Sequence, residues 1–367
     1  MLTSSKPVLV IVDGSVAVTG ALMSAARQAA LLGNQVATVL VLPRGHRVPA
    51  ERLTAFAEVV ELPIVPLRRS ARSLLGYGPT LLAGSIRLRR EMRRLGATRI
   101  QLNDFYLMHG SMLRLLGFRG RIVTYVRIDP TRFGAAGRVW LAAARRSSDE
   151  IVAVSRFIQR LLAGVESRLV YEYATPVEAA TRAASSQLLL FVGNIIEGKG
   201  QDDGVAAFNR IAADFPEARL RFVGGDMGLA KNRLFRASVE QAAAVGPAAR
   251  RIEFHGATHD LTADHSEAFA ALNFSASESF SLTCLEASAA GLPVIATRCG
   301  GPEEIIEDGT TGLLVAVGDI DAMADKMRWL LERPAEAAVM GAAGRKLVAE
   351  RFSAEQSRAQ FSALYEL

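Results

Sequence analysis

The stretch SASESFSLTCLEASAAGLPVIAT, residues 275–297, holds two acids, Glu278 and Glu286, with seven residues between them. Its pattern predicts a strand-loop-helix unit, in which a buried strand ends near Ser275 and a helix runs over about 280–290. Gly291 then ends the helix, and Pro293 prevents its continuation. Because acids rarely lie against a packed core without a partner, both carboxylates are candidates for ligand contact.

The start of this predicted helix suits an anion. A helix N-terminus presents free backbone N–H groups and a partial positive charge, and the small Ser279 and Ser281 would leave those amides accessible. Glu286 could accept two hydrogen bonds from a ribose diol, and Glu278, before the helix, could reach the group attached to the phosphate. The alternative is an exposed helix with solvated acids, but the Ala-, Ser- and Leu-rich flanks argue against it.

Short runs of branched apolar residues alternate with amphipathic segments along the chain. The first half includes PVLVIVDG, QVATVLVLP and RIVTYVRID, and the second half LLLFVG, LRFVGG and LPVIAT. This βαβ alternation indicates parallel sheets covered by helices on both faces. Because the pattern weakens over 173–186 and then restarts, we predict two doubly wound α/β domains of Rossmann type that face each other across a cleft. The predicted bounds are 1–180, 181–348 and, for a C-terminal helix that packs back on the first domain, 349–367.

The composition is typical of a globular protein in a reducing compartment. Half of the 367 residues are hydrophobic and 22% are charged, which excludes a disordered chain. The two cysteines, Cys284 and Cys299, are too few for a disulfide framework and lack the spacing of zinc ligands. No apolar stretch reaches membrane-spanning length, and the first apolar run, which stops at Asp13, indicates a buried strand rather than a signal peptide. We therefore expect a cytoplasmic protein.

The charges are divided unevenly between the two halves. Residues 1–184 carry 26 Lys and Arg against 12 Asp and Glu, whereas residues 185–367 carry 17 against 25. The segment SIRLRREMRRLGATR, residues 85–99, holds six arginines, of which Arg87, Arg90 and Arg94 can share one helical face. That face is either a solvated surface or a surface that attaches peripherally to an anionic membrane or meets a lipid-diphosphate acceptor. Nucleic acid is not an expected partner, because the basic run lacks interleaved aromatics and no binding motif is recognised.

Three further groups of residues are candidate ligand contacts. In FVGNIIEGKG, residues 191–200, Lys199 lies in a glycine-flanked loop after a buried strand, where a lysine can clamp a diphosphate or simply be solvated. In CGGPEEIIEDGTTG, residues 299–312, Glu303 or Glu304 could touch a ligand, unless the segment is a plain Gly-Pro turn. The residues that follow a first-half strand, with a histidine shortly beyond, are candidates for the acceptor side: Asn103, Asp104 and His109.

A metal site is not expected. The D-x-D pair of Asp319 and Asp321 precedes a predicted helix and is more typical of a helix cap. Three histidines lie close in sequence, but in a loop and at a helix start: His255, His259 and His265.

In their order and spacing, these stretches resemble the donor-binding half of glycosyltransferase family 4, also called glycosyl transferases group 1, which has the GT-B fold. The E-x7-E pair, EASAAGLPVIAT, GGPEEIIEDGTTGLLV, FVGNIIEGKG, LRFVGGDMG and RIEFHGATHD carry the resemblance, over residues 188–332. It implies a hexosyltransferase that moves a sugar from a UDP- or GDP-sugar with retention of configuration, without a cofactor or an obligatory metal. The implied acceptor is a glycan or a lipid-linked glycan, in bacterial envelope polysaccharide or lipopolysaccharide synthesis.

The resemblance also implies roles for individual residues. Glu286 would bind the ribose, Glu278 the donor sugar and Lys199 the distal phosphate. The remaining donor contacts would come from residues beside the diphosphate or the base: Gly193, Asn194, Phe280, Ser281, Leu282, Gly256 and Ala257.

The chain departs from the family at two charged positions. Asn194 stands where the family commonly has Arg, and Arg127 stands where it often has a His near the sugar. Arg127 could replace that His or supply the missing positive charge. A non-catalytic nucleotide-sugar binding protein and a nucleotide-sugar epimerase of the same fold remain alternatives. A dehydrogenase is not favoured, because no G-x-G-x-x-G follows a strand.

Overall fold

The computed structural model describes residues 6–64, 71–175, 186–258 and 260–367, with side chains described from residue 77 onward in the helix that begins at Ala71. The chain forms two compact units. Unit 1 comprises Met1–Glu172 and Ala354–Leu367, and unit 2 comprises Tyr173–Ser353. The units thus meet in sequence after Glu172 and after Ser353, whereas the domain bounds predicted from sequence are 180, which lies outside the described residues, and 348.

Unit 1 is built on a parallel sheet with helices along it. The sheet has the order β3-β2-β1-β4-β5-β6-β7. Its described strands are β1 (Val8–Val12), β2 (Ala37–Pro43), β3 (Glu58–Leu62), β4 (Arg99–Leu102), β5 (Arg121–Val126), β6 (Glu150–Ala153) and β7 (Arg168–Leu169). Its described helices before the crossover are α1 (Gly20–Leu32), α2 (Ala71–Arg94), α3 (His109–Leu115), α4 (Gly134–Ser147) and α5 (Arg156–Leu161).

Unit 2 repeats the same winding with the order β10-β9-β8-β11-β12-β13, again parallel. The strands are β8 (Leu188–Val192), β9 (Arg219–Val223), β10 (Ile252–His255), β11 (Ala270–Asn273), β12 (Val294–Thr297) and β13 (Gly312–Val315). The described helices are α6 (Gln201–Ile211), α7 (Ala230–Val245), α8 (Thr262–Glu267), α9 (Leu282–Ala289), α10 (Pro302–Ile305), α11 (Ile320–Glu332) and α12 (Pro334–Arg351). Short 3₁₀ turns span Ala50–Arg52, Pro130–Phe133 and Ala249–Arg251.

The prediction of two doubly wound parallel sheets is confirmed. Strands β2 and β12 are buried at every residue and consist mostly of apolar side chains, as expected where helices cover both faces of a parallel sheet. The strand order reverses between β1 and β4 in unit 1 and between β8 and β11 in unit 2. At such a point the loops that follow the two strands lead to opposite faces, and the crevice left between them is where doubly wound folds bind ligands.

The end of the chain forms α13 (Ala354–Tyr365), which belongs to unit 1. Arg99 donates from Nε to the Tyr365 carbonyl oxygen at 2.6 Å, and Arg121 donates from Nε to the Leu364 carbonyl oxygen at 2.7 Å. Two strand-start arginines thus satisfy the last carbonyls of the helix and favour its negative C-terminal end. Among the described helices, none combines the length and the apolar character that a bilayer crossing requires.

The loops after β8 and β9 touch through glycine. Gly224, which follows β9, lies so close to the loop after β8 that an added Cβ would stand 1.9 Å from the Gly193 carbonyl oxygen. The backbone of the β8 loop is also held by the Ile195 amide, which donates to the Gly225 carbonyl oxygen at 2.8 Å. Only glycine at position 224 permits this approach.

Replacing Gly224 by Ala should destabilise the protein by about 1–3 kcal/mol, because the new methyl group overpacks a backbone contact. The matched control is Gly204→Ala inside α6, where the Cβ would meet the Phe191 ring at an ordinary 3.4 Å. A helix interior favours Ala over Gly by about 1 kcal/mol, so the control should lose no stability. Urea unfolding of both variants measures this, and an equal loss in the two would contradict the steric explanation.

Candidate functional site

Lys199 and Glu278, far apart in sequence, form an ion pair at the carboxyl end of the unit 2 sheet. Lys199 lies in the loop between β8 and α6, and Glu278 in the loop between β11 and α9. The Lys199 Nζ is 2.6 Å from the Glu278 Oε1, and the side chains are 32% and 15% exposed. The pair therefore stands beside the strand-order reversal and is reached by solvent.

The backbone around Glu278 is held on both sides. The Glu278 amide donates to the Cys299 carbonyl oxygen at 3.2 Å, and the Gly301 amide donates to the Glu278 carbonyl oxygen at 2.8 Å. A Cβ on Gly301 would lie 2.3 Å from the Phe280 Cα, so only glycine lets the two loops approach this closely. Gly301 thus helps to fix the loop that carries the acid.

Ser275 is a site residue that the sequence analysis did not identify as functional. Its Oγ donates to the Glu278 Oε1 at 2.8 Å, and its carbonyl oxygen accepts a 2.6 Å bond from the Thr297 hydroxyl. The Ser275 side chain is buried. Glu278 thus has a neutral donor and a cation on the same oxygen, which fixes where the carboxylate lies. The signal in the sequence was a serine at the predicted strand end, three residues before the acid.

Helix α9 begins at Leu282, two residues later than the predicted start near 280. Its N-cap, Ser281, adopts φ 81° and ψ 83°, which is unusual for a residue other than glycine. The Ser281 Oγ accepts from the Cys284 amide at 3.4 Å and from the Asn273 Nδ2 at 3.0 Å. The strained cap turns the chain from the Glu278 loop into the helix, and the amides of the first turn have no carbonyl partner within the helix.

The other predicted residues on this helix lie around its first two turns. Phe280 is buried and packs edge-on against Phe352, with ring centroids 5.5 Å apart. Leu282 and Glu286 are half-buried, one helical turn apart. The structure thus places Glu278, the α9 start and Glu286 along one continuous segment.

Gly193 and Asn194 follow β8 directly. Gly193 has φ 152°, within the range that favours glycine. The Asn194 carbonyl oxygen accepts a 3.0 Å bond from the Nε2 of Gln201, a buried residue at the start of α6. The Lys199 loop, residues 193–200, is therefore held at both of its ends.

The residues predicted beside the base are exposed. Gly256 and Ala257 follow β10, and the Gly225 loop lies against Ala257, because a Cβ on Gly225 would be 3.5 Å from the Ala257 Cβ. Both therefore lie at the carboxyl end of the sheet, where β9 and β8 separate β10 from β11.

Glu303 is engaged as a cap. Its Oε2 accepts from the Gly300 amide at 2.8 Å, at the start of α10, which favours the turn interpretation of this stretch over a ligand contact. Glu304 also has a partner in the structure. Burial raises the pKa of both cysteines, that of Cys299 to about 11, so neither is a ready thiolate nucleophile.

The structure also shows where the residues lie that were considered for a metal site. Asp319 caps α11 by accepting from the Ala322 amide at 3.0 Å. His255 is exposed and lies 3.4 Å from a Glu253 oxygen, His265 is buried, and His259 lies outside the described residues. Across the described ranges, no three His, Cys, Asp or Glu side chains are grouped as metal ligands would be.

In unit 1, Arg127 follows β5 and is buried in an ion pair. Its Nη1 is 2.7 Å from the Glu172 Oε1, both side chains are 7% exposed, and its Nε donates to the Asn103 Oδ1 at 2.9 Å. The guanidinium also lies over the Tyr125 ring, 4.5 Å from its centroid. Burial is the largest single influence and disfavours its charge, but Glu172, Tyr125 and Asp104 together outweigh burial, so the pKa of Arg127 is raised. In this structure Glu172 therefore compensates the charge of Arg127, and a role of Arg127 beside the sugar or the diphosphate stays a prediction.

The three residues expected on the acceptor side are buried as well. Asn103 donates from Nδ2 to a carboxylate oxygen of Asp13 and to the Ala21 carbonyl oxygen. Asp104 accepts from the amides of Phe105 and Arg127, and burial raises its pKa to about 7. His109 begins α3, and neither of its ring nitrogens has a hydrogen-bond partner among the described residues; burial lowers its pKa to about 4. These side chains support the sheet edge rather than present a surface.

The basic face of α2 is smaller than predicted. Arg87 and Arg90 are exposed, but Arg94 is paired with Glu58 and lies 2.6 Å from a Glu91 oxygen. Two of the three expected cations therefore remain uncompensated among the described residues.

The two Rossmann-type sheets, with a candidate site after β8 and β11, can be compared with solved structures. HepE of Anabaena in complex with UDP-glucose superimposes with a TM-score of 0.81, over 98% of this chain and 100% of that one, at 18% identity. At that identity the likeness shows the fold, which is GT-B, as the sequence predicts.

The segment that carries the candidate site resembles a known glycosyltransferase family. Residues 186–333, within unit 2, match the family described as Glycosyl transferases group 1, so the predicted resemblance is confirmed for this segment. N-acetyl-alpha-D-glucosaminyl L-malate synthase of Bacillus anthracis is 28% identical over 263 residues, 67% of this chain and 65% of that one. GDP-mannose-dependent alpha-(1-6)-phosphatidylinositol monomannoside mannosyltransferase of Mycobacterium tuberculosis is 31% identical over 247 residues, which are 65% of this chain and 60% of that one. Neither match spans two thirds of the relative's own length.

His109 should make the protein sensitive to acid. Its pKa is about 4 in the folded state and about 6.5 when unfolded, so between these values only the unfolded chain takes up the proton. This stabilising contribution is complete above pH 6.5 and falls by about 1.4 kcal/mol per pH unit down to pH 4. Urea unfolding at pH 5 and pH 7 should therefore show a smaller loss for His109→Leu than for the unchanged protein. Asp104 contributes with the opposite sign, so only the difference between the two proteins is diagnostic, and equal losses would contradict the assignment.

Proposed function

We propose that the protein is a glycosyltransferase that takes its sugar from a nucleotide-diphosphate sugar bound to unit 2. The carrying observation is the Lys199–Glu278 ion pair beside the start of α9, with Glu286 in the same helix. A cation, an acid and a helix N-terminus converge at the strand-order reversal, inside the segment that matches the family. Of these, the cation and the helix N-terminus supply the positive groups that bind nucleotide phosphates.

The donor would lie along the Glu278–Glu286 segment. Glu286 accepts hydrogen bonds from the ribose hydroxyls. The backbone amides at the start of α9 (Phe280, Ser281 and Leu282) donate hydrogen bonds to the diphosphate. Lys199 holds the distal phosphate and Glu278 the sugar. Gly193 and Asn194 leave room beside the diphosphate, and Gly256 and Ala257 lie toward the base. Exposure of Gly256 and Ala257 supports a base contact that can be reached from solvent.

Lys199 carries most of the electrostatic work in this proposal. Before the donor binds, Glu278 compensates its charge at 2.6 Å, and a diphosphate would compete for the same ammonium. As the sugar leaves, charge grows on the diphosphate, and a fixed cation with the α9 dipole stabilises it. While Arg127 is paired with Glu172, it does not contribute to stabilising the charge on the diphosphate. The reaction proposed is hexosyl transfer with retention and without a required metal or cofactor.

The acceptor would be a glycan or a lipid-linked glycan that meets unit 1, in envelope polysaccharide or lipopolysaccharide synthesis on the inner face of the membrane. The basic first half suits an anionic acceptor. One relative's name describes a phosphatidylinositol mannoside acceptor and a GDP-mannose donor, while the HepE complex contains UDP-glucose. Both UDP- and GDP-sugars are therefore donors to test.

Replacing Glu286 by Ala should weaken nucleotide-sugar binding by about 10- to 100-fold, since hydrogen bonds to a charged group contribute about 1.5–3 kcal/mol each. Calorimetric titration with UDP, GDP and their sugars measures the change. Glu240→Ala on α7 is the matched control, because that acid is 42% exposed and its ion pair within the described ranges is with Arg236 on the same helix. Unchanged affinity in Glu286→Ala would sink the ribose assignment.

Replacing Lys199 by Ala should lower kcat/KM about 100-fold or more, because it removes a fixed cation and leaves Glu278 to repel the diphosphate. Lys231→Ala, at an exposed lysine of α7, is the control for the loss of a lysine. Donor turnover is followed by release of nucleoside diphosphate. A Lys199→Ala enzyme with normal turnover would contradict the role of the ion pair.

One observation favours a second candidate, a non-catalytic nucleotide-sugar binding protein. Arg127 is locked by Glu172, and Asn194 replaces a cation, so fewer positive groups are available for the leaving group than the family pattern implies. A pure binder would bind the donor tightly yet release no nucleoside diphosphate with any acceptor. An epimerase would instead interconvert the donor without an acceptor.

A further inference from the structure

Unit 1 has an open groove of about 430 Å³ on the outer face of α4. Five of its lining residues lie at helical positions i, i+3, i+4, i+7 and i+8, which share one face. A sixth comes from the turn between α5 and β7. The lining residues are Arg138, Leu141, Ala142, Arg145, Arg146 and Val165.

The groove is rimmed by uncompensated positive charge. Arg138, Arg145 and Arg146 are exposed, and in the part of the chain that the structure describes no carboxylate lies within ion-pair distance of them. The acids that follow α4 are already engaged: Asp149 is 2.7 Å from Arg114, and Glu150 is 2.9 Å from Arg168. Glu166, next to Val165 in sequence, is exposed but does not line the groove.

The floor of the groove is apolar. Leu141, Ala142 and Val165 are half-buried, and Val139, the residue after Arg138, is 63% exposed on the same helix. An inorganic phosphate or a nucleotide would use the arginines and leave this floor in contact with water. A molecule that joins a phosphate to a hydrocarbon chain would satisfy both parts, because guanidinium groups bind phosphate bidentately and methylene groups gain by leaving water.

We propose that the groove on α4 binds the phosphate headgroup and the first methylene groups of an anionic phospholipid, and so attaches unit 1 to a membrane surface. The arginines face the headgroups, while Leu141, Ala142 and Val165 receive the start of an acyl chain. The proposal concerns a different surface from the α2 face, where Arg94 is neutralised. It does not depend on the chemistry at Lys199 and Glu278.

Vesicle flotation tests the proposal with the chain of 367 residues. Vesicles of phosphatidylcholine with and without phosphatidylglycerol are the probes. We expect binding only to the anionic vesicles, and a loss of about 100-fold in Arg138→Glu/Arg145→Glu/Arg146→Glu, since each cation near a membrane contributes about fivefold. The matched control is Arg87→Glu/Arg90→Glu on α2, which should float like the unchanged protein. Failure of the unchanged protein to float, or flotation of the α4 variant, would overturn the proposal.

The apolar floor needs its own variant. Val165→Ser keeps every charge, and we expect about fivefold weaker binding to anionic vesicles because an apolar contact is lost. Unchanged affinity would show that charge alone accounts for binding and would overturn the groove as an acyl site. Circular dichroism and nucleotide affinity, which depends on unit 2, confirm that each variant is folded. A protein that floats but shows no glycosyl transfer would count against the proposed function and leave the groove intact.

Discussion

The candidate site depends on the parallel pairing of β8 with β11. The register of Leu189 with Ala270 and of Phe191 with Leu272 makes both strands end at the same edge of the sheet. The chain continues from β8 to β9 on one side and from β11 to β12 on the other. The loops after β8 and β11 therefore leave in opposite directions. Lys199 on one loop and Glu278 on the other can then meet at 2.6 Å. Glycine at positions 224 and 301 lets the surrounding loops close to backbone contact.

Two arginine- or lysine-carboxylate pairs in the chain illustrate how burial decides what a charge can do. Arg127 and Glu172 are 7% exposed each, and removing one partner of such a buried pair typically costs about 3–5 kcal/mol. Lys199 and Glu278 are 32% and 15% exposed, so solvent or a ligand can compete for either. The same electrostatic attraction is thus a structural bond in unit 1 and an exchangeable contact in unit 2.

Much of the fold was predictable because it depends on local pattern. Runs of branched apolar residues predicted strands such as β1, β2, β5, β8, β9 and β12, whereas the two-residue β7 was too short to leave a signal. The ends of elements were less certain: α9 starts at Leu282 because Ser281 takes a positive φ and caps it, which no propensity indicates. Ser275 escaped identification as a functional residue because a single serine has no pattern, and its role comes from its bond to Glu278.

By itself, the sequence predicted the winding of both sheets, because the alternation of strands and helices follows from periodicity, which is a property of neighbouring residues. The order and spacing of its motifs carried the resemblance of residues 186–333 to Glycosyl transferases group 1 and pointed to the candidate acids and lysine. The tertiary structure decided which charges are available. It paired Lys199 with Glu278, Arg127 with Glu172 and Arg94 with Glu58, and within the described part of the chain it left the arginines of α4 without a carboxylate partner. Ion pairing depends on distances between residues remote in the chain, so only the folded molecule could settle it.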